Sequence, residues 1–396
     1  MSLAPVEEKM WEKSPSKIRT NTKMSEVEIN DKYESGEKRI LTEINRDKLP
    51  SFVEALSKNS KYMNLRPDYQ RRWRWDTKMQ SRLIESFLIN IPVPPIILYE
   101  IDYNSYEVMD GQQRITAIRD FYTNKFALIG LELWPELNRL KYEQLPDKIR
   151  AGLDRRSISS IVIIRESTSN PDEALFLKQK TFERLNTGGV DLSQQEVRHC
   201  LYYGKFDSLL IELARNPIFA EAWGIPTDDK SPELSINTLY KKMEDAELVL
   251  RFFALRNIEH FRYGMEGFLD LYMMKSLEFS EQDIKFLKEL FIQTINLAYR
   301  IYEENLFKPF VPVVPESGTW QKKSYKAYYD AVMVGFSRHL HEAEILIARK
   351  SRVIEETKKL FDKQESRLLT GEGRTKADIQ DRIRIFDEML LQVIGE

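Results

Sequence analysis

Asp110-Gly111-Gln112-Gln113-Arg114 sets an acid, a glycine, two amides and a cation side by side where an extended segment gives way to a helical pattern. Downstream, Ile115, Ile118, Phe121 and Tyr122 recur at helical spacing, which places Arg114 in the first turn. A cation there opposes the helix dipole, so the position calls for a reason. Anion binding supplies one. The first N–H groups of a helix favour phosphate, Gly111 lets a ligand approach the backbone, and a guanidinium adds a bidentate contact. In that reading Gly111, Gln112 and Arg114 hold phosphate, Asp110 holds a magnesium ion or orients water, and Gln113 and Arg114 join Asp110 in the chemistry. The structural alternative is a turn in which Asp110 caps the helix and Arg114 pairs with a surface acid.

The elements that must position this stretch are legible around it. PPIILYEI (94–101) is rich in β-branched residues and reads as a strand, DYNS (102–105) as a turn, and YEVMD (106–110) as the returning strand of a hairpin. LPSFVEALSK (49–58) and DTKMQSRLIESFLIN (76–90) read as helices, the second capped by Asp76 or Thr77. SISSIVIIRE (157–166) is a further strand, and NPDEALFLKQKTFERL (170–185) a helix with Asn170 as N-cap and Pro171 at its first position. An α/β domain over residues 36–200 is expected from this mixture. Residues 1–35 are polar and lack periodicity, and read as a flexible tail. From 201 to 396 strand signals fade and helical patterns dominate, so an all-α domain is expected there, giving an α+β chain as a whole. The run Tyr325–Phe336 reads as a core helix.

A second polar cluster precedes the corner. Between Lys61 and Arg82 seven basic residues stand against two acids, with Tyr62, Tyr69, Trp73 and Trp75 interleaved. Basic residues among aromatics suit a phosphate backbone or a stacked base, so Arg72, Arg74 and Lys78 are candidate nucleic-acid contacts. A solvated face beside core tryptophans accounts for the same composition. A third cluster, FERLNTGGVDLSQQEVR (182–198), contains a helix end, two glycines and a new helix opened by a Ser193–Glu196 capping box, with Leu192 and Val197 as its staple. Arg184, Asn186 and Arg198 are its ligand-facing candidates.

Composition bounds the alternatives. The 396 residues carry 60 basic and 62 acidic side chains, a net charge of −2, so the whole chain is no polycation. The N-terminus has no apolar core of a secretory signal and no run approaches a membrane span, which places the expected site of action in the cytoplasm. One cysteine, Cys200, leaves no intramolecular disulfide and no cysteine-based zinc site. No G-x-x-x-x-G-K-[ST], G-x-S-x-G or H-E-x-x-H occurs. The four histidines, His199, His260, His339 and His341, are read as lying on or beside helices, the last two pointing to different faces of one.

RPDYQRRWRW, INIPVPPIILYE, VMDGQQRITAI and FERLNTGGVDLSQQEVR, in this order, resemble the landmarks of the N-terminal domain of GmrSD-type restriction endonucleases, a family that extends to SspE-like phage-defence proteins. The resemblance covers roughly residues 40–200. It implies a ParB/sulfiredoxin-like fold and hydrolysis of a nucleoside triphosphate, with Mg2+, at the DGQQR stretch, coupled to recognition of modified or phage DNA. It also implies that Gln70 and Arg71 face the same pocket, to which Asn186 is added as a candidate. Members of this group often carry a C-terminal His-Asn-His nuclease domain, but the histidines here do not form that pattern. Sulfiredoxin chemistry is excluded because the corner lacks a cysteine. The expectation is therefore an NTPase subunit that regulates or senses, working with a nuclease or effector on another chain, with homo-oligomers open. The competing expectations are a non-enzymatic DNA- or nucleotide-binding adaptor, or a DNA-nicking nuclease.

Overall fold

In the computed structural model the described residues are 3–12, 25–27, 30, 42–58, 63–64, 75–102, 105–164, 193–314, 317–362, 366–373 and 375–396. The chain divides into two compact units, one of residues 15–191 and one that combines 1–14 with 192–396.

The unit of residues 15–191 is built on a five-stranded sheet: β1 (Thr42–Lys48), β2 (Met63–Asn64), β3 (Ile96–Asp102), β4 (Ser105–Asp110) and β5 (Ser157–Ile163), in the order β1-β5-β3-β4-β2. β3 and β4 form the expected antiparallel hairpin, β3 runs parallel to β5, and β2 runs parallel to β4. Three helices cover the sheet, Leu49–Lys58, Thr77–Leu88 and Gln112–Tyr122. They bury Phe52, Ile84, Phe87, Ile115, Ile118 and Phe121 against Ile96, Leu98 and Val108. Burial of each such side chain contributes about 1.5–3 kcal/mol. Asp76 caps Thr77–Leu88 by accepting from the Met79 N–H at 2.7 Å.

β1 was not anticipated. Its sequence, TEINRDK, does not alternate because the strand lies at the sheet edge with six of its seven residues exposed, Ile44 among them. No inward-facing set exists for a period of two to reveal.

The far end of helix Gln112–Tyr122 is fixed by phenols. Tyr122 and Tyr142 both donate to Asp154, at 3.0 and 2.9 Å. Burial, and then the Asp154 carboxylate, push the Tyr142 hydroxyl up to about 12. Both phenols therefore stay protonated and donating across the working pH range.

The second unit is helical but not all-α. The Pro-rich stretch after Phe307 forms a two-stranded sheet, β6 (Phe310–Val314) with β7 (Ser317–Trp320). Pro312 within β6 masked it, since proline normally argues against a strand and is tolerated only in edge positions of this kind. Helix Lys326–Arg338 is the expected core helix, with every residue from Ala327 to Ser337 buried. The capping box of Ser193 and Glu196 forms as read, at 2.7 and 3.2 Å.

Two expectations are corrected here. Residues 5–12 are not tail: Pro5–Glu12 is a helix packed within the helical unit, its Glu7 fully buried. Glu7 accepts from Arg256 at 2.6 Å, from Asn257 and Tyr272 at 2.9 Å each, and from the Ala4 N–H at 3.0 Å. Trp11 stacks on His260 with ring centroids 4.6 Å apart and donates to Asn257. A buried carboxylate, with Trp11 beside it, anchors this helix, and no hydrophobic periodicity announces such an anchor. Second, His339 and His341 do not point to different faces of one helix. Helix Lys326–Arg338 ends at His339, and the following 3-10 turn brings both imidazoles onto Glu342, at 3.4 and 2.6 Å. His339 is also bonded to Asp387 at 2.9 Å.

Candidate functional site

The Asp110–Arg114 stretch forms a strand-to-helix corner. β4 ends at Asp110, which pairs with Ile97 of β3 beside a register irregularity, and helix Gln112–Tyr122 begins two residues later. The turn is made by Gly111 in the left-handed region, φ 95°. No larger residue fits: a Cβ here would lie 2.5 Å from Ile96 Cγ2 and 3.0 Å from Arg114 Nη2. Gly111 is thus required both for its backbone angle and for the close packing of β3 under the corner.

The polar groups are arranged around that glycine. Asp110 is not a conventional helix cap; the N-cap is Gly111, which has no side chain to cap with. Instead the Asp110 carboxylate turns back on the corner, one oxygen accepting the Gly111 N–H at 2.6 Å and the other the Arg114 guanidinium at 2.7 Å. Arg114 also donates to the Pro95 carbonyl at 3.3 Å. The Arg114 side chain is 14% exposed and that of Asp110 50%. Arg114 pairs with a half-exposed acid, as the structural alternative has it, and that acid is Asp110 of its own motif. Among the amides expected to face a phosphate, the Gly111 N–H is committed to Asp110, which leaves that role to the later ones.

Gln113 reaches in another direction. Its side-chain carbonyl accepts the Trp75 N–H at 3.1 Å, across 38 residues of sequence. Trp75 is half-buried against the core. Lys78 is exposed in the first turn of Thr77–Leu88, where its methylene stem lies within 3.1–3.3 Å of the position a Gly130 Cβ would take.

Of the other candidates, Gln70, Arg71, Arg72, Arg74, Arg184 and Asn186 lie outside the described residues, as do the helix expected over 170–185 and Leu192 of the expected staple. Arg198 is described, and its surroundings are structural. It is 1% exposed, belongs to the helical unit, and is held by Asp270 at 2.6 Å and Glu247 at 2.8 Å. Two carboxylates about one buried guanidinium account for its charge without a ligand.

Pro95 and Ile96 went unnoticed as parts of the corner. One contributes a main-chain carbonyl and the other a methyl group, and the signal that could have found them is their place in the INIPVPPIILYE landmark.

For a divalent cation the corner offers one half-exposed carboxylate, Asp110. Mg2+ commonly binds through one or two carboxylates together with substrate phosphates, so this donor set fits an ion that arrives on a nucleotide. Among the described residues no group of three or more His, Cys, Asp or Glu is placed to hold a metal. No helix of the described residues is long and apolar enough to cross a membrane.

Residues 52–203 match the family model described as GmrSD restriction endonuclease, N-terminal domain. No curated protein and no solved structure matches the chain.

Proposed function

We propose that the Asp110–Arg114 corner, within the residues 52–203 that match the GmrSD restriction endonuclease N-terminal domain, binds and hydrolyses a nucleoside triphosphate and thereby regulates a DNA-targeting restriction or antiphage system. The observation that carries this reading is the corner itself: a left-handed glycine opening a helix, with a guanidinium and a carboxylate folded over it. The first-turn N–H groups of Gln112–Tyr122 and the Arg114 guanidinium are the phosphate-binding set, and Asp110 is the acid that orients the attacking water. Mg2+, carried on the phosphates, supplies neutralisation of their charge. Arg114 serves two purposes in this scheme. It holds the Asp110 carboxylate in place before a ligand arrives, and its remaining donors meet the phosphate when one does.

Gln70, Arg71 and Asn186 complete the nucleotide pocket in this proposal, and Arg72, Arg74 and Lys78 meet the DNA. The unit of residues 15–191 is assigned a ParB/sulfiredoxin-like fold on the same basis. Cleavage falls to a nuclease or effector on a separate chain, and the protein acts in the cytoplasm.

Phosphate release measured with each of the four NTPs and Mg2+ tests the reading. Turnover with at least one, lost in Asp110→Ala, supports it. Tight nucleotide binding without turnover would make the domain an adaptor, and metal-dependent nicking of plasmid by the isolated chain would make it a nuclease.

A further inference from the structure

Gln113 stands in the middle of the corner, yet its side-chain carbonyl is engaged elsewhere. The Oε1 atom accepts the main-chain N–H of Trp75 at 3.1 Å. The next residue, Asp76, is the N-cap of helix Thr77–Leu88, extended at φ −65° and ψ 166°, and bonded to the Met79 N–H. Gln113 itself lies in the first turn of Gln112–Tyr122. One amide side chain therefore joins the N-terminal ends of two helices whose buried faces, Leu83, Ile84 and Phe87 on one and Ile115, Ile118 and Phe121 on the other, belong to the same core.

This geometry limits what Gln113 can do in a hydrolysis. A glutamine that orients an attacking water accepts one of its protons through the side-chain carbonyl. Here that carbonyl already accepts from Trp75, so its direction is set by the peptide at the start of the neighbouring helix, and a water could meet only its second lone pair.

We propose that Gln113 is a positioning residue: its side chain holds the Trp75 peptide, and through it the Asp76-capped start of helix Thr77–Leu88, against the corner, and that side chain does not itself contact the phosphates or the attacking water. The inference rests on the corner being the nucleotide site proposed above. Its consequence is that Trp75, within the basic and aromatic run from Lys61 to Arg82, is tied mechanically to the nucleotide corner, so that occupancy of the corner is felt there.

Two variants separate this role from direct contact. Gln113→Met keeps the length and removes the acceptor; Gln113→Glu keeps an acceptor and places negative charge at the corner. The full chain, labelled with 15N-tryptophan, gives one backbone signal for each of six tryptophans, and Trp75→Phe assigns the Trp75 signal by its disappearance. Without nucleotide, Gln113→Met is expected to raise hydrogen exchange of the Trp75 amide roughly fivefold, the equivalent of one net hydrogen bond, and Gln113→Glu to leave it near wild type. With Mg-NTP, turnover should fall in Gln113→Met through kcat and recover in Gln113→Glu. Unchanged Trp75 exchange in Gln113→Met overturns the proposal. So does a Gln113→Glu variant that loses nucleotide affinity more severely than Gln113→Met, because a carboxylate touching phosphate repels it. If the wild-type chain releases no phosphate with any NTP, the nucleotide reading fails by that result, and Trp75 exchange still decides whether Gln113 holds the peptide.

Discussion

The Asp110 carboxylate and the Arg114 guanidinium meet at 2.7 Å, one helical turn apart in sequence, over a glycine that admits no side chain. The pair is partly exposed, and pairs of this kind contribute about 0–1 kcal/mol. Its removal should therefore act on function far more than on folding. Arg114→Ala is expected to lose nucleotide binding, and Asp110→Ala to lose turnover, with the melting temperature of each falling by only about 1–2 °C. Calorimetry and nucleotide titration on the same samples check both halves; unfolding of the domain by either change would make the corner a structural cap.

Gly111→Ala should behave in the opposite way. The added Cβ meets Ile96 at 2.5 Å and the backbone must hold φ 95° against a side chain. Such a position costs on the order of 1–3 kcal/mol. Chemical denaturation should show the unit of residues 15–191 weakened by that amount while the helical unit keeps its midpoint.

In the helical unit, Glu7→Ala leaves Arg256, 5% exposed, without its carboxylate. Breaking a buried ion pair on one side costs roughly 3–5 kcal/mol. The expected result is a lower melting temperature for the helical unit and loss of exchange protection in helix Pro5–Glu12, with Glu7→Gln milder because it still accepts from Asn257 and Tyr272. Unaltered stability would mean that this helix does not dock in solution.

His260 carries a pH dependence. Burial lowers its pKa below the ordinary value, and Arg262, Lys376 and Lys275 push the same way against the opposing Glu259. The folded state thus prefers the neutral ring that stacks on Trp11. The contribution is complete above the unfolded pKa near 6.5 and is lost as pH falls through the lower folded value. An NMR titration should place His260 below 6.5, and Trp11→Ala should move it back up.

The isolated chain is expected to leave DNA intact. Each histidine has a prior commitment: His199 to Asp207 at 2.6 Å, His260 to Trp11, His339 to Asp387, and His341 to Glu342. Plain and modified plasmid incubated with Mg2+, Mn2+ and NTP should stay supercoiled until a partner from a pull-down is added. Nicking that disappears in Asp110→Ala would reverse this expectation.

The corner could be read in advance because its parts are local. Alternation gives the hairpin, helical spacing gives the helix, and Gly111 marks the turn between them, all within 30 residues. What escaped is either non-local or without pattern. The Gln113–Trp75 bond spans 38 residues and uses a main-chain N–H, which has no residue type to recognise. β1 has no buried face to create alternation, and β6 is hidden by its own proline. The helix at Pro5–Glu12 is held by a glutamate whose partners, Arg256, Asn257 and Tyr272, lie 249 to 265 residues downstream. His339 and His341 follow a helix that stops at Arg338, although the helical pattern of the sequence runs on past both.

That same helix sets an order of events during synthesis. Glu7 leaves the ribosome well before Arg256, which follows 249 positions later. At a typical elongation rate of about 5–20 residues per second, the glutamate waits on the order of 10–50 seconds for its partner. The whole of the unit of residues 15–191 is made in that interval. It can finish folding while the helical unit, made of the first and last stretches of the chain, still lacks the residues that receive its opening helix.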